Sequence, residues 1–206
     1  MLPVNSYVKA GDSDPIILYK LPFIGKLYKR RVELCLSELT GGDKILEVGF
    51  GSGVTFLSLT DNYREIHGLD LNADVSAVSN VFEKLNIRTF LKNGDALKMP
   101  YPDDYFDSVL LISILEHLKP GLQEDVFKEI KRVLKKGGQV VYGVPVSRTF
   151  MTFLFRLLGY DIDRLHFSTE KQIHRTAEKA LNKVKISSMK ALLFGSVYEI
   201  GHFVKA

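Results

Sequence analysis

Cysteine is almost missing from the chain: Cys35 stands alone among 206 residues. No internal disulfide can form, so burial and hydrogen bonding must hold the fold, and a single thiol suits a reducing, cytoplasmic setting. Long apolar runs are missing too. No window supplies the roughly 18 apolar residues of a spanning helix, and residues 1–11 lack the basic start and apolar centre of a secretory leader. No Cys/His cluster has metal-ligand spacing, so no metal is expected. Repeats and low-complexity tracts are absent. Charge of one sign is weak: the formal net charge is +4, and Lys and Arg are spread out apart from short clusters at 29–31 and 131–136. That balance disfavours nucleic acid as the main partner.

What is present is a hydrophobic content of 46% with a mean hydropathy of +0.03, enough for one substantial core. Strand-like and helix-like stretches alternate from about residue 44. Strands are expected at Lys44–Val48, Glu65–Leu69, Arg88–Lys92, Asp107–Ile112 and Gln139–Val144. Helices are expected from about Lys26 to Leu39, from Val54 to Leu59, over Ala73–Leu85 with Asn72 as cap, and over Leu122–Lys135 closed by Lys135, Lys136 and Gly137. Leu27, Arg31, Leu34 and Leu36 do not give the first of these a clean stripe. Arg148–Leu158 reads as a helix, as does Thr169–Leu181 with a capping box at Thr169 and Gln172. Lys183–Met189 and Val197–Val204 follow in succession and pair as an antiparallel hairpin. The expectation is an α/β, Rossmann-like sheet of seven strands, mostly parallel, with an antiparallel C-terminal hairpin and helices on both faces. One domain is expected over 1–206: a helical segment at 1–43, a core at 44–145, a helical cover at 146–182 and the hairpin at 183–206.

Residues 45–54 read Ile-Leu-Glu-Val-Gly-Phe-Gly-Ser-Gly-Val, a strand running straight into three alternating glycines. Such a turn removes side chains where a ligand meets main chain, and the helix behind it adds N–H donors. Dinucleotide, flavin and adenosylmethionine sites all use a turn here. The dinucleotide fingerprint fails in both registers, because Val54 and Phe56 stand where a third glycine is needed. A phosphate-binding loop fails because no Gly-Lys-Ser/Thr follows. Asp70, twenty-one positions after Gly49, suits the hydroxyls of a ribose, which NAD would equally require.

Glu47 with Gly49, Gly51 and Gly53, together with residues 94–107, Gly-Asp-Ala-Leu-Lys-Met-Pro-Tyr-Pro-Asp-Asp-Tyr-Phe-Asp, resembles the class I S-adenosylmethionine-dependent methyltransferases, in particular the small-molecule, type 11-like group. The likeness runs over about 40–145, including Glu116-His117 and the turn at 133–138, and weakens beyond Pro145. It implies S-adenosylmethionine as cofactor, held by Glu47, Gly49, Phe50, Gly51, Gly53, Asp70, Leu71, Asp95, Ala96, Ile112 and Ser113. In the family the acid at Asp95 takes the adenine amino group and Ala96 lends its backbone. Two positions depart from the usual pattern: Phe50, expected to narrow the mouth of the site, and Lys136, where a proline is common.

Methyl transfer asks the protein mainly to position its reactants. A base is needed where the nucleophile carries a proton, and His117, beyond the fourth strand, is the catalytic candidate. The alternative for His117 is packing near the cofactor. Glu116 is expected to be solvated, and His166 to be a polar residue of a surface loop or, alternatively, part of a segment covering the acceptor. No Asn/Asp-Pro-Pro-Tyr/Phe tetrad occupies 111–114, which disfavours a base-methylating enzyme, and the paired-glutamate loop of arginine methyltransferases is missing. Residues 150–158 are apolar nearly all round and point to core packing, a cover for an apolar acceptor, a dimer contact, or a peripheral membrane patch flanked by Arg148, Arg156 and Arg164. The expected function is methyl transfer to a small, partly apolar acceptor. The alternatives are a degenerate methyltransferase-like protein acting through a partner, or an RNA or protein methyltransferase. Acceptor atom and oligomeric state stay open.

Overall fold

The computed structural model describes residues 1–11, 14–146, 167–191 and 195–206. Seven strands form one sheet: β1 (Gly42–Val48), β2 (Tyr63–Asp70), β3 (Thr89–Asn93), β4 (Phe106–Ile112), β5 (Leu134–Pro145), β6 (Asn182–Ala191) and β7 (Gly195–Val204). Their spatial order is β3-β2-β1-β4-β5-β7-β6. The first five pair in parallel, and β7 runs antiparallel to both β5 and β6. The expected Rossmann-like sheet with an antiparallel ending is therefore the fold.

Period-two patterning divides the strands between two cores. Ile45, Ile66, Leu110 and Val141 face α1 (Pro22–Leu36), the short α2 (Phe56–Leu59) and α3 (Val75–Glu83), whose Val32, Phe56, Val78 and Phe82 complete that layer. Their neighbours Leu46, Val109, Leu111, Val140 and Tyr142 face the other way. There they meet Val126, Phe127, Ile130 and Val133 of α4 (Pro120–Val133) and Ile173 and Ala177 of α5 (Glu170–Ala180). Helices thus cover both faces. Among the described residues no helix is long and apolar enough to cross a membrane.

Several local expectations are corrected. α1 begins at Pro22, a residue suited to a first helical position, and not near Lys26. Residues 51–55 turn before α2 starts, so no helix spans Val54. Asp74 caps α3 by accepting from the Ala77 N–H, while the Asn72 N–H donates to Asp70. Competition for the cap goes to the residue nearest the first turn. Lys135, Lys136 and Gly137 do not close α4: Leu134 is already extended and pairs with Phe106, so the helix ends at Val133. The capping box at Thr169 and Gln172 is present with both of its bonds. The segment 150–158, the flanking Arg148, Arg156 and Arg164, and His166 lie outside the described residues.

Candidate functional site at the sheet switch point

Strand order reverses between β1 and β4: the chain leaves β1 toward β2 on one side and β4 toward β5 on the other. Such a point opens a crevice beyond the C-terminal strand ends. Gly49, Gly51 and Gly53 occupy it with φ of 74°, 48° and 69°, the left-handed region that a side chain makes costly. Gly49 donates to Leu69 O at 2.7 Å, and a Cβ on it would lie 2.1 Å from Ile114 Cδ1. The loop after β1 is thereby pressed against the exit of β4. Above Gly51 there is room, the nearest atoms to a Cβ being those of the Asp14 carboxylate at 3.7 Å.

Three carboxylates surround this loop. Asp70, ending β2, accepts from Gly51 N at 3.0 Å through Oδ2 and from Asn72 N and Ala73 N through Oδ1. Glu47 is 3% exposed and accepts from the Thr55 hydroxyl. Burial pushes its carboxyl up to about 8, opposed by the Thr55 bond and assisted by Asp70. Asp14 comes from the N-terminal segment. It accepts from the Ser52 hydroxyl and from Ala10 N and caps the 3₁₀ helix Pro15–Lys20 through Ile16 N. A strap of chain is thus fastened over the glycine loop.

The exit of β4 holds a second group of polar side chains. Ser113 has a φ of 57°, uncommon for a residue with a side chain and typical of positions held for function. Its N–H donates to Gly143 O at 2.9 Å. Its hydroxyl receives Arg31 Nη1 at 3.1 Å and meets the Tyr198 hydroxyl at 3.0 Å. The absence of a side chain at Gly143 makes this possible, since a Cβ there would fall 2.6 Å from the Tyr198 hydroxyl and 2.7 Å from Cys35 Sγ. Cys35 is fully buried and burial pushes its thiol up to about 12, so it is an inert packing group.

Glu116 departs most from expectation. Only 2% exposed, it is buried and not solvated, because Phe167 N binds its carbonyl and Gln123 secures the adjoining Leu115 carbonyl. Burial pushes its carboxyl up to about 8 against the pull of its own N–H, Arg31 and Ser113. One of its oxygens has no hydrogen-bond partner among the described residues. His117, by contrast, is exposed on the 3₁₀ turn Leu115–His117. Phe50 does not narrow the mouth: at 2% exposure its ring lies in the core, 5.8 Å from that of Phe56, in space left by Gly68.

Asp95 accepts from Leu97 N beside the half-buried Ala96, and Leu71 is 63% exposed beyond Asp70. The half-buried Ile112 leads into Ser113. Glu47, Gly49, Gly51, Gly53 and Asp70 are therefore gathered about the turn after β1, with Ser113 at the neighbouring exit of β4. Sequence reasoning missed Asp14, Arg31, Tyr19 and Tyr198. Asp14-Pro15 carries a readable helix-start signal, and the charge interrupting the stripe of α1 was the mark of Arg31. Tyr19 and Tyr198 carry no local signal. A separate cleft of about 650 Å³, lined by Lys44, Glu65, His67, Phe90, Tyr101 and others, lies toward the opposite ends of the strands.

This sheet order, with a glycine turn at the switch point and an acid ending β2, is the fold shared with solved Rossmann-like methyltransferases. Residues 46–142 match the family model described as "Methyltransferase domain", and that segment belongs to the family. The chain is 29% identical over 165 residues to a demethylmenaquinone methyltransferase of Tropheryma whipplei, covering 78% of this chain and 66% of that protein. It is 38% identical over 105 residues to a fatty-acid O-methyltransferase of Mycolicibacterium smegmatis, covering 49% and 36%. The chain spans no more than about two thirds of the length of these two relatives. Among solved structures, geranyl diphosphate C-methyltransferase from Streptomyces coelicolor, in complex with Mg2+, geranyl diphosphate and S-adenosyl-L-homocysteine, aligns with a TM-score of 0.72. Its identity to this chain is 12%, covering 89% of this chain and 79% of that one.

Proposed function

We propose that this protein binds S-adenosylmethionine in the crevice above β1 and β4 and directs its methyl group to a small, partly apolar acceptor. The observation that carries the reading is the Asp70 carboxylate bonded to the N–H of Gly51 within a turn of positive-φ glycines. Asp70 is the ribose acceptor, Leu71 and the Asp95-Ala96 pair flank the adenine, and Gly49 to Gly53 carry the methionine part against bare main chain. The cofactor is cationic at sulfur and at its ammonium, and the carboxylates of Asp14 and Asp70 beside Gly51 suit that charge. Phe50 contributes through its backbone.

When bound, the cofactor supplies an activated methyl and a neutral leaving group. The chain's own work is alignment and exclusion of water. Ile112 and Ser113 border the acceptor side. His117 takes the proton of an acceptor whose nucleophile carries one, and an acceptor with a free lone pair needs no base. The apolar sequence of residues 150–158 supports a partly apolar acceptor, and so do relatives named for a fatty acid and for geranyl diphosphate.

Calorimetric titration with S-adenosylmethionine and S-adenosylhomocysteine tests the reading, and no measurable affinity for either removes it. Binding without turnover on any acceptor favours the degenerate, partner-dependent alternative. Asp70→Ala is expected to weaken cofactor binding by about 1–3 kcal/mol through lost charge-assisted hydrogen bonds; unchanged affinity contradicts the ribose assignment. In an acceptor screen with the wild-type protein, lipophilic compounds are expected to outpace highly polar ones, and equal turnover of both counts against the apolar acceptor.

A further inference from the structure

Among the described residues, Arg31 is a cation without an ion-pair partner. It comes from the inner side of α1, half-buried, with its Nε closed off from solvent and unpartnered. Its guanidinium lies 3.7 Å from the centre of the Tyr28 ring, donates to the Ser113 hydroxyl at 3.1 Å and neighbours the Tyr19 side chain. Every one of these contacts is with a neutral group. Among the described residues no carboxylate stands within ion-pair distance of it, although exposed Arg30 beside it on the helix pairs with Glu33. The buried Glu116 is the nearby acid, and burial pushes its carboxyl up against the pull of Arg31, which disfavours an ion pair between them.

Holding an unpaired guanidinium out of water costs several kcal/mol, and a fork of planar donors matches a carboxylate or a phosphate. The location gives that charge a use. Ser113, which Arg31 touches, precedes Ile114, and Ile114 packs directly on Gly49 of the glycine loop. Tyr19 belongs to the same strap that Asp14 fastens to Ser52. The cation therefore stands at the exit of β4, beside the segment that packs on the glycine loop.

We infer that Arg31 binds an anionic group, carboxylate or phosphate, carried by the acceptor, with Tyr28 and Ser113 fixing the fork. The inference rests on the methyltransferase reading of the same crevice. It narrows the acceptor from partly apolar to amphiphilic: an apolar body with an acidic head.

The test uses decanoate, decyl phosphate, decanol and methyl decanoate as probes, titrated into the full chain saturated with S-adenosylhomocysteine. The wild-type protein is expected to bind at least one of the two anions tenfold or more tightly than decanol and methyl decanoate. The stronger of the two anions distinguishes a carboxylate from a phosphate head. In Arg31→Gln that preference is expected to vanish while decanol affinity changes less than threefold. Arg31→Lys, which keeps the charge and loses the fork, is expected to retain part of it. Equal binding of anions and alcohol by the wild type, binding of none of the probes, or an anion preference that survives Arg31→Gln overturns the inference. The wild-type comparison decides the matter even where a variant fails to fold. Affinity for S-adenosylhomocysteine reports separately on the cofactor site: its absence removes the methyltransferase reading, whereas its presence without anion preference removes this proposal alone.

Discussion

Gly53→Ala is expected to lower the stability of the protein by about 3 kcal/mol, while Gly51→Ala, two residues away, costs the fold backbone strain alone and reduces cofactor affinity at least tenfold. Both glycines have positive φ, 69° and 48°, so alanine at either adds roughly 1–2 kcal/mol of backbone strain. Their surroundings differ. A Cβ at Gly53 would lie 2.6 Å from Phe56 Cδ2 and 2.8 Å from Phe82 Cε2, two rings packed 5.1 Å apart in the core. Such overpacking adds roughly 1–3 kcal/mol. At Gly51 the nearest atoms are 3.7 Å away, so a methyl group fits the protein but occupies the space assigned to the ligand. Urea midpoints at constant slope measure the first effect and calorimetry with S-adenosylhomocysteine the second. Equal destabilisation by both changes, with affinity unaltered in Gly51→Ala, would mark the loop as an ordinary turn.

Unfolding free energy is expected to fall between pH 6.5 and 8 by an amount of the order of a few kcal/mol. Glu47 and Glu116 both have carboxyl groups pushed from the ordinary 4.5 up to about 8, chiefly by burial. Each binds its proton more tightly folded than unfolded, so its stabilisation is complete below about 4.5 and is lost as pH rises to about 8. Two histidines act in the opposite sense at lower pH. Burial depresses His67 and His202 below the ordinary 6.5, so they favour the folded state as pH rises toward that value and contribute nothing beyond it. The interval above 6.5 therefore belongs to the two glutamates. Glu47→Gln and Glu116→Gln should each remove part of the slope, and the pair together should flatten it. A wild-type stability that is level or rising from pH 6.5 to 8 would mean that these carboxyls are ionised in the folded protein.

The two cases mark where local reading works. Glycines alternating after an apolar strand declare a backbone requirement, and the positive φ at all three meets it. Short apolar runs alternating with helical stretches likewise foretold which strands the sheet contains, because parallel strands covered on both faces are apolar along their length. Element ends were less legible. Asn72 and Asp74 are equally good caps, and the helix start decides between them only after Asp70 has taken the Asn72 N–H. Leu134 was read as helical because its pairing with Phe106 involves a residue 28 positions earlier.

Chain chemistry alone thus sufficed for the order of strands and helices, the glycine turn and the acid beside it, since each follows from backbone conformations that neighbouring residues impose. The burial of Glu116, the inward turn of Phe50 and the isolation of Arg31 came from packing. Arg31 meets Ser113 across 82 positions and Ser113 meets Tyr198 across 85, and the dielectric around such groups exists only once those distant segments have closed on one another.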